Sequence, residues 1–168
     1  MGIKHDLIVE TYEYGKTTTG QEYILMEYLE GQGLDAMIRK KDHAAFGGNR
    51  LKLIRQMAQA LQFVHEAGFI HRDICPRNFI ANPDCSSLKL IDFGLTVPNE
   101  AEYRAPGNRT GTPNYMAPEI VRRRPTDQRI DIFAFGVTVY RLLVFAHPWG
   151  STDVSGMAAL AHDTSNAI

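Results

Sequence analysis

Two runs of β-branched and aromatic residues, Ile8 to Tyr14 and Tyr23 to Leu29, flank the turn-rich stretch Gly15-Lys16-Thr17-Thr18-Thr19-Gly20, a pattern that predicts a β-hairpin. After Gly31-Gln32-Gly33, Leu34 to Lys40 suits a short helix, and the polar, glycine-containing stretch Lys41 to Asn49 reads as a loop. From Arg50 onward Leu51, Ile54, Ala58, Leu61 and Val64 recur at helical spacing until Gly68 stops the helix. Phe79-Ile80-Ala81 and Leu88-Lys89-Leu90-Ile91 predict a second, shorter hairpin turning at Asn82-Pro83-Asp84. The stretch from Arg129 to Phe145 is apolar on every side, which predicts a helix at the centre of a packed unit. Asp131, near its start, is costly to bury unless its carboxylate meets donors.

A chain of 168 residues can bury one sizeable core. Eighteen basic and nineteen acidic side chains leave a formal charge of −1, so no global field draws nucleic acid or an anionic membrane to it. Arg122-Arg123-Arg124 is the local exception, a solvated turn or a docking patch for an acidic partner. Cys75 and Cys85 suggest free thiols in a reducing compartment. The residues after Met1 lack the apolar stretch that export needs. Ile130 to Ala146 is interrupted by Asp131 and Arg141 and falls short of the ~20 residues that cross a bilayer. The expectation is a cytoplasmic protein with no membrane segment and no nucleic-acid partner.

The chemistry concentrates in two runs, His71-Arg72-Asp73-Ile74-Cys75-Pro76-Arg77-Asn78 and Asp92-Phe93-Gly94. The first offers a carboxylate and, five residues on, an amide; the second adds a carboxylate at the end of an apolar strand. Moving a phosphoryl group from a nucleotide to a hydroxyl requires Mg²⁺ to neutralise charge and a carboxylate to orient the attacking hydroxyl. Asp73 suits the base, and Asn78 and Asp92 the metal ligands. Either run alone is commonplace, since Asp and Asn favour turns and caps. Their order and combination carry the signal.

On these residues the chain resembles the eukaryotic-type protein kinase family, whose catalytic loop reads H-R-D-x-x-x-x-N and whose metal-binding motif is D-F-G. Ala117-Pro118-Glu119 and Asp131, followed five residues on by Gly136, match later family motifs, and Gly111 to Met116 resembles the Ser/Thr-directed branch. The resemblance implies an α+β, protein-kinase-like fold: residues 1–30 as the last strands and hinge of an incomplete N-lobe, and residues 31–168 as a mostly α-helical C-lobe cut after the long central helix. The glycine-rich loop and the phosphate-holding lysine would lie before Met1. The resemblance also implies ATP and Mg²⁺ as cofactors and a protein substrate, and leaves the oligomeric state open. Met26 then stands at the gatekeeper position, Glu27 to Leu29 in the hinge, and Ile80 on the floor of the adenine site. Thr112 matches the residue that hydrogen-bonds the catalytic aspartate, Asp131 the one that holds the catalytic-loop backbone. Arg72 matches the partner of a phosphorylated activation segment, for which Thr110 is the candidate. His71, Phe93 and Thr11 fall at positions of a stacked spine.

Cys75 departs from the pattern, standing where Ser/Thr kinases place a lysine on the transferring phosphate. Losing one such donor costs roughly 10²–10³ in rate. Arg77, four residues after Asp73, is expected to reach the same region and replace the missing cation. The expectation is therefore a Ser/Thr kinase catalytic domain, incomplete in this chain, with a non-catalytic kinase-like binding module or remnant as the alternative.

Overall fold

The computed structural model describes residues 4–41, 43–105 and 110–149. Strands β1 (Thr11–Lys16) and β2 (Glu22–Met26) form an antiparallel hairpin, closed where the Thr17 N–H donates to the Gln21 carbonyl at 2.8 Å. There follow β3 (Gln32–Gly33), α1 (Leu34–Lys40), α2 (Arg50–Glu66), β4 (Phe69–Ile70), β5 (Phe79–Ala81), β6 (Leu88–Leu90), β7 (Val97–Pro98), α3 (Pro118–Val121) and α4 (Arg129–Val144). Strands β3, β5 and β6 make one antiparallel sheet in that order, and β4 pairs with β7. The core lies where α1, α2 and α4 meet the β5–β6 hairpin, around Leu34, Ile38, Leu53, Met57, Phe79, Leu90 and Leu142. Among the described residues no helix is long and apolar enough to cross a membrane.

Strand β1 begins three residues later, and β2 ends three residues earlier, than the hydrophobic pattern suggests. Ile8 bridges Leu90, and the Val9 N–H donates to the Leu90 carbonyl at 3.0 Å, so the first apolar residues belong to the sheet beside the core. A bulge between Thr11 and Glu13 separates that role from the hairpin proper. Beyond Met26 the chain leaves the strand, so Leu29 lies outside it. The hairpin itself is exposed on both faces, with Tyr12, Tyr14, Ile24 and Leu25 open to solvent.

Helix α2 begins at Arg50 as expected but buries a different stripe. Leu53, Met57, Ala60, Leu61 and Val64 face the core, whereas Leu51 is 75% exposed and Ala58 is exposed. The Arg50 guanidinium sits 4.9 Å from the ring centres of both Phe46 and Phe145, which turns the Arg50–Leu53–Met57 side inward. Phe46 itself is buried from a 3-10 turn (Ala44–Phe46) inside the stretch read as loop. Strands β3, β4 and β7 have two residues each, too short for any periodicity to show.

Gly31, with φ +155°, lets β3 approach β5: a Cβ there would stand 2.0 Å from the Ala81 carbonyl oxygen. Helix α4 buries Ile130, Ala134, Val137 and Leu142, yet Ile132, Leu143 and Val144 are exposed, so it is not enclosed on every side. From position 150 onward the C-lobe segment expected after this helix lies outside the described residues.

Candidate active site

Asp73 follows β4 in a loop whose path depends on a left-handed residue, Arg72, at φ 70°. Pro76 then starts the 3-10 turn Pro76–Asn78, which leads directly into β5. The Asp73 carboxylate is buried and receives four donors. On Oδ1 it accepts from the Thr112 hydroxyl at 2.6 Å and the Thr112 N–H at 2.9 Å; on Oδ2 it accepts from Arg77 Nη2 at 2.9 Å and Asn78 Nδ2 at 3.1 Å. A carboxylate has about four lone-pair sites, so Asp73 is saturated. Burial pushes its pKa up, but the hydrogen bonds from Thr112, Arg77 and Asn78 and the charge of Arg77 outweigh it and hold the group below the usual carboxylate value.

Asn78 Nδ2 also donates to the Asp73 carbonyl at 2.8 Å, which commits its amide nitrogen to the loop. The Ile91 N–H donates to the Asn78 carbonyl at 2.8 Å, so the β5–β6 pairing brings Asn78 beside the residue preceding Asp92. Asp92 is exposed, with φ 63°, and accepts from the Gly94 N–H at 3.1 Å. Gly111 lets the segment carrying Thr112 reach Asp73: its φ is +109°, and a Cβ would lie 2.7 Å from the Arg72 carbonyl oxygen. The Cys75 thiol is buried, pushed up by burial and by the charge of Asp73, and receives a long contact from the Thr112 hydroxyl at 3.7 Å. Cys75 and Cys85 are both free thiols.

Asp131, 1% exposed, braces the same loop. It accepts from the backbone N–H groups of His71 and Arg72 at 2.8 Å each and from His65 Nε2 at 2.9 Å. The first two bonds are the support expected of it. His65 is a residue that the sequence reading missed; the available signal was a histidine four positions past the buried Leu61 on α2. The His71 and Phe93 rings meet edge to face at 5.0 Å, while Thr11, the third spine position, is exposed. Arg141, read only as an interruption of an apolar stretch, reaches Asp35 at 3.3 Å and the Tyr115 hydroxyl. Burial pushes Tyr115 up to about 12, with Arg141 pulling the other way.

A cleft of about 490 Å³ runs between the β1–β2 hairpin and the Asp92–Gly94 segment, lined by Met26, Thr11, Asp92 and Phe93 among others. It joins Met26 to Asp92, whereas Glu27, Leu29 and Ile80 do not line it. Glu27 turns back into the protein, accepting from the Glu10 N–H at 2.7 Å and pairing with Lys89. Burial raises its pKa, but Lys89 and the Glu10 N–H bring it below the usual value. Its own N–H donates to the Glu10 carbonyl at 2.9 Å. Ile80 sits mid-strand on the face of β5 opposite the buried Phe79 and Ala81.

A family model described as the protein kinase domain matches residues 1–167. The chain belongs to the protein kinase family. It is similar to a serine/threonine-protein kinase of Myxococcus xanthus, 30% identical over 164 residues that make up 93% of this chain and 30% of that protein. A probable serine/threonine-protein kinase of Clostridium acetobutylicum is 32% identical over 162 residues, 96% of this chain and 24% of the relative. An Aurora kinase of Eremothecium gossypii is 32% identical over 154 residues, 88% and 39% of the two chains. The chain thus spans well under half the length of these kinases. The kinase resemblance carried by the His71–Asn78 and Asp92–Gly94 runs is borne out.

Proposed function

We propose that the protein to which this chain belongs transfers the γ-phosphoryl group of ATP to Ser or Thr hydroxyls of a protein substrate, with residues 1–30 as the end of the N-lobe and residues 31–168 as the C-lobe. The observation that carries this reading is the buried Asp73, held ionised by Thr112, Arg77 and Asn78 beside the strand end that presents Asp92.

The donor set fits Mg²⁺. With its Nδ2 committed to Asp73, Asn78 keeps its amide oxygen as a hard ligand, and Asp92 offers a solvent-facing carboxylate; one or two such oxygens are what Mg²⁺ takes from a protein when phosphates and water supply the rest. Bound there, the ion would neutralise charge on the nucleotide phosphates. The nucleotide base belongs against Met26, with the backbone of Glu27 to Leu29 on one side and Ile80 beneath.

Because Asp73 is saturated, a substrate hydroxyl must displace one of its donors. Arg77 is the one able to leave, its side chain being 59% exposed, whereas Thr112 and Asn78 are held by the backbone around them. A hydroxyl taking its place on Oδ2 would be oriented by Asp73 and deprotonated toward it as the phosphorus–oxygen bond forms. The freed guanidinium then faces the phosphate region where Cys75 leaves no cation. Thr112 keeps Oδ1 fixed throughout.

The test is phosphotransfer from labelled ATP by the full-length protein to mixed protein substrates, with Asp92→Asn and Arg77→Ala beside the wild type. Activity abolished by the first and reduced by the second supports the reading. A cellular phenotype that survives Asp92→Asn would favour the binding-module alternative, and unchanged turnover in Arg77→Ala would remove Arg77 from the mechanism.

A further inference from the structure

Cys75 is a buried thiol to which the phosphotransfer mechanism gives no task. Its side chain is 1% exposed and belongs to the apolar cluster that also holds Ile74, Phe79 and Tyr115. Sealed there, it does none of the work of a phosphate-binding cation, which falls to Arg77, two residues on and 59% exposed. The thiol instead meets the Thr112 hydroxyl, 37 positions away in the chain, with sulfur and oxygen 3.7 Å apart.

The direction of this contact follows from counting hydrogens. A hydroxyl carries one, and the 2.6 Å bond to Asp73 Oδ1 takes it. The hydrogen between sulfur and oxygen is therefore the thiol's, and burial together with the nearby Asp73 charge favours the protonated thiol. The thiol donates to Thr112 Oγ1 and the Thr112 hydroxyl donates to Asp73, a chain in which each bond strengthens the next. Both ends are anchored by the backbone. The Cys75 carbonyl accepts from the Asn78 N–H at 3.0 Å, and the Thr112 carbonyl accepts from the Tyr115 N–H at 2.9 Å.

We propose that Cys75 is a positioning residue for phosphotransfer: it keeps the Thr112 hydroxyl on Oδ1 of Asp73 and so leaves Oδ2 as the oxygen that takes the substrate hydroxyl. The inference rests on the kinase reading above. The two carboxylate oxygens are chemically alike, and only their neighbours tell them apart. Oδ2 is the oxygen that Asn78 holds at 3.1 Å and that Arg77 can vacate, so a hydroxyl there stands beside a candidate metal ligand. If the Thr112 hydroxyl turned about its C–O bond, Oδ1 would open as a second acceptor, and a hydroxyl misplaced by about 1 Å costs up to about 10²-fold in rate. The thiol closes that route without adding a charge beside Asp73.

The experiment uses the full-length protein carrying Cys75→Ala, Thr112→Val or both, with phosphotransfer measured on one protein substrate. Cys75→Ala should lower kcat about three- to tenfold, the worth of one such bond, and leave KM for ATP within about twofold. In the Thr112→Val background the same substitution should cost nothing further, because its effect passes through that hydroxyl. An equal fall in both backgrounds would mean that Cys75 only fills space, and would overturn the proposal; so would an unchanged kcat. The infrared S–H stretch gives a readout independent of catalysis. The wild-type spectrum minus that of Cys75→Ala isolates the Cys75 band, with Cys75→Ser as the reference should the alanine variant fail to fold, and the same subtraction is made in the Thr112→Val background. The band should lie below that of a free thiol in the wild type and rise in Thr112→Val. A band at the free-thiol position, or one that Thr112→Val leaves in place, rejects the bond and the proposal with it. A wild type without phosphotransfer would instead defeat the kinase reading, and the positioning role with it, while the Cys75 band still reports whether the bond exists.

Discussion

Replacing Asp131 by Asn tests how the catalytic loop is held. The Asp131 carboxylate accepts two backbone N–H groups and His65, with Oδ1 on Arg72 and Oδ2 shared by His71 and His65. Asparagine keeps the shape but only one acceptor oxygen, so in either orientation an NH₂ group faces a buried donor. One charge-assisted bond is lost, about 1.5–3 kcal/mol, and one buried N–H is left unsatisfied, about 1–3 kcal/mol. A destabilisation of about 3–5 kcal/mol is expected, the size seen when a buried charge loses its partners. His65→Ala removes one donor to the carboxylate and leaves the two backbone bonds, so it should cost about 1.5–3 kcal/mol, less than Asp131→Asn. Urea denaturation measures both. Amide hydrogen exchange adds a local readout, because the N–H groups of His71 and Arg72 bond Asp131; in Asp131→Asn at least one should exchange faster than the α2 amides do after allowance for global stability. A loss below about 0.5 kcal/mol with both amides still protected would refute the brace.

Thr112→Val deletes the hydroxyl bond to Asp73. Because the Asp73 carboxyl titrates below its ordinary 3.8 when folded, its stabilising contribution is complete above that value and fades as pH falls through the folded value; the variant should lose less stability than wild type between pH 5 and pH 2, read from urea midpoints against pH. Gly111→Ala places a Cβ 2.7 Å from the Arg72 carbonyl at φ +109°, so it should cost about 1–3 kcal/mol and depress phosphotransfer with it, measured by denaturation and by kcat. Leu53→Ala should cost about 2–5 kcal/mol, against under about 0.5 kcal/mol for Leu51→Ala; similar losses would contradict the buried stripe. Asp92→Asn should abolish phosphotransfer while shifting stability by under about 0.5 kcal/mol, since the side chain is exposed and Asn tolerates its left-handed backbone.

Family, motif order and the longer helices were legible from the residues alone. The runs His71 to Asn78 and Asp92 to Gly94 name a chemistry by residue type and spacing, and α1, α2 and α4 announce themselves through periodicity and through punctuation at Gly33 and Gly68. What periodicity could not decide was which of two overlapping stripes on α2 faces inward, because that depends on where Phe46 and Phe145 place Arg50. Nor could it assign Ile8 and Val9 to Leu90 rather than to the hairpin, a long-range pairing invisible in a local window. The Thr112 bonds to Asp73, the His65 bond to Asp131 and the cavity joining Arg72 to Arg123 and Arg124 link residues far apart in the chain. Local propensity is a property of neighbouring residues and is written in their order, whereas a carboxylate's partners and a pocket's charge are set by chain closure, which only the tertiary structure supplies.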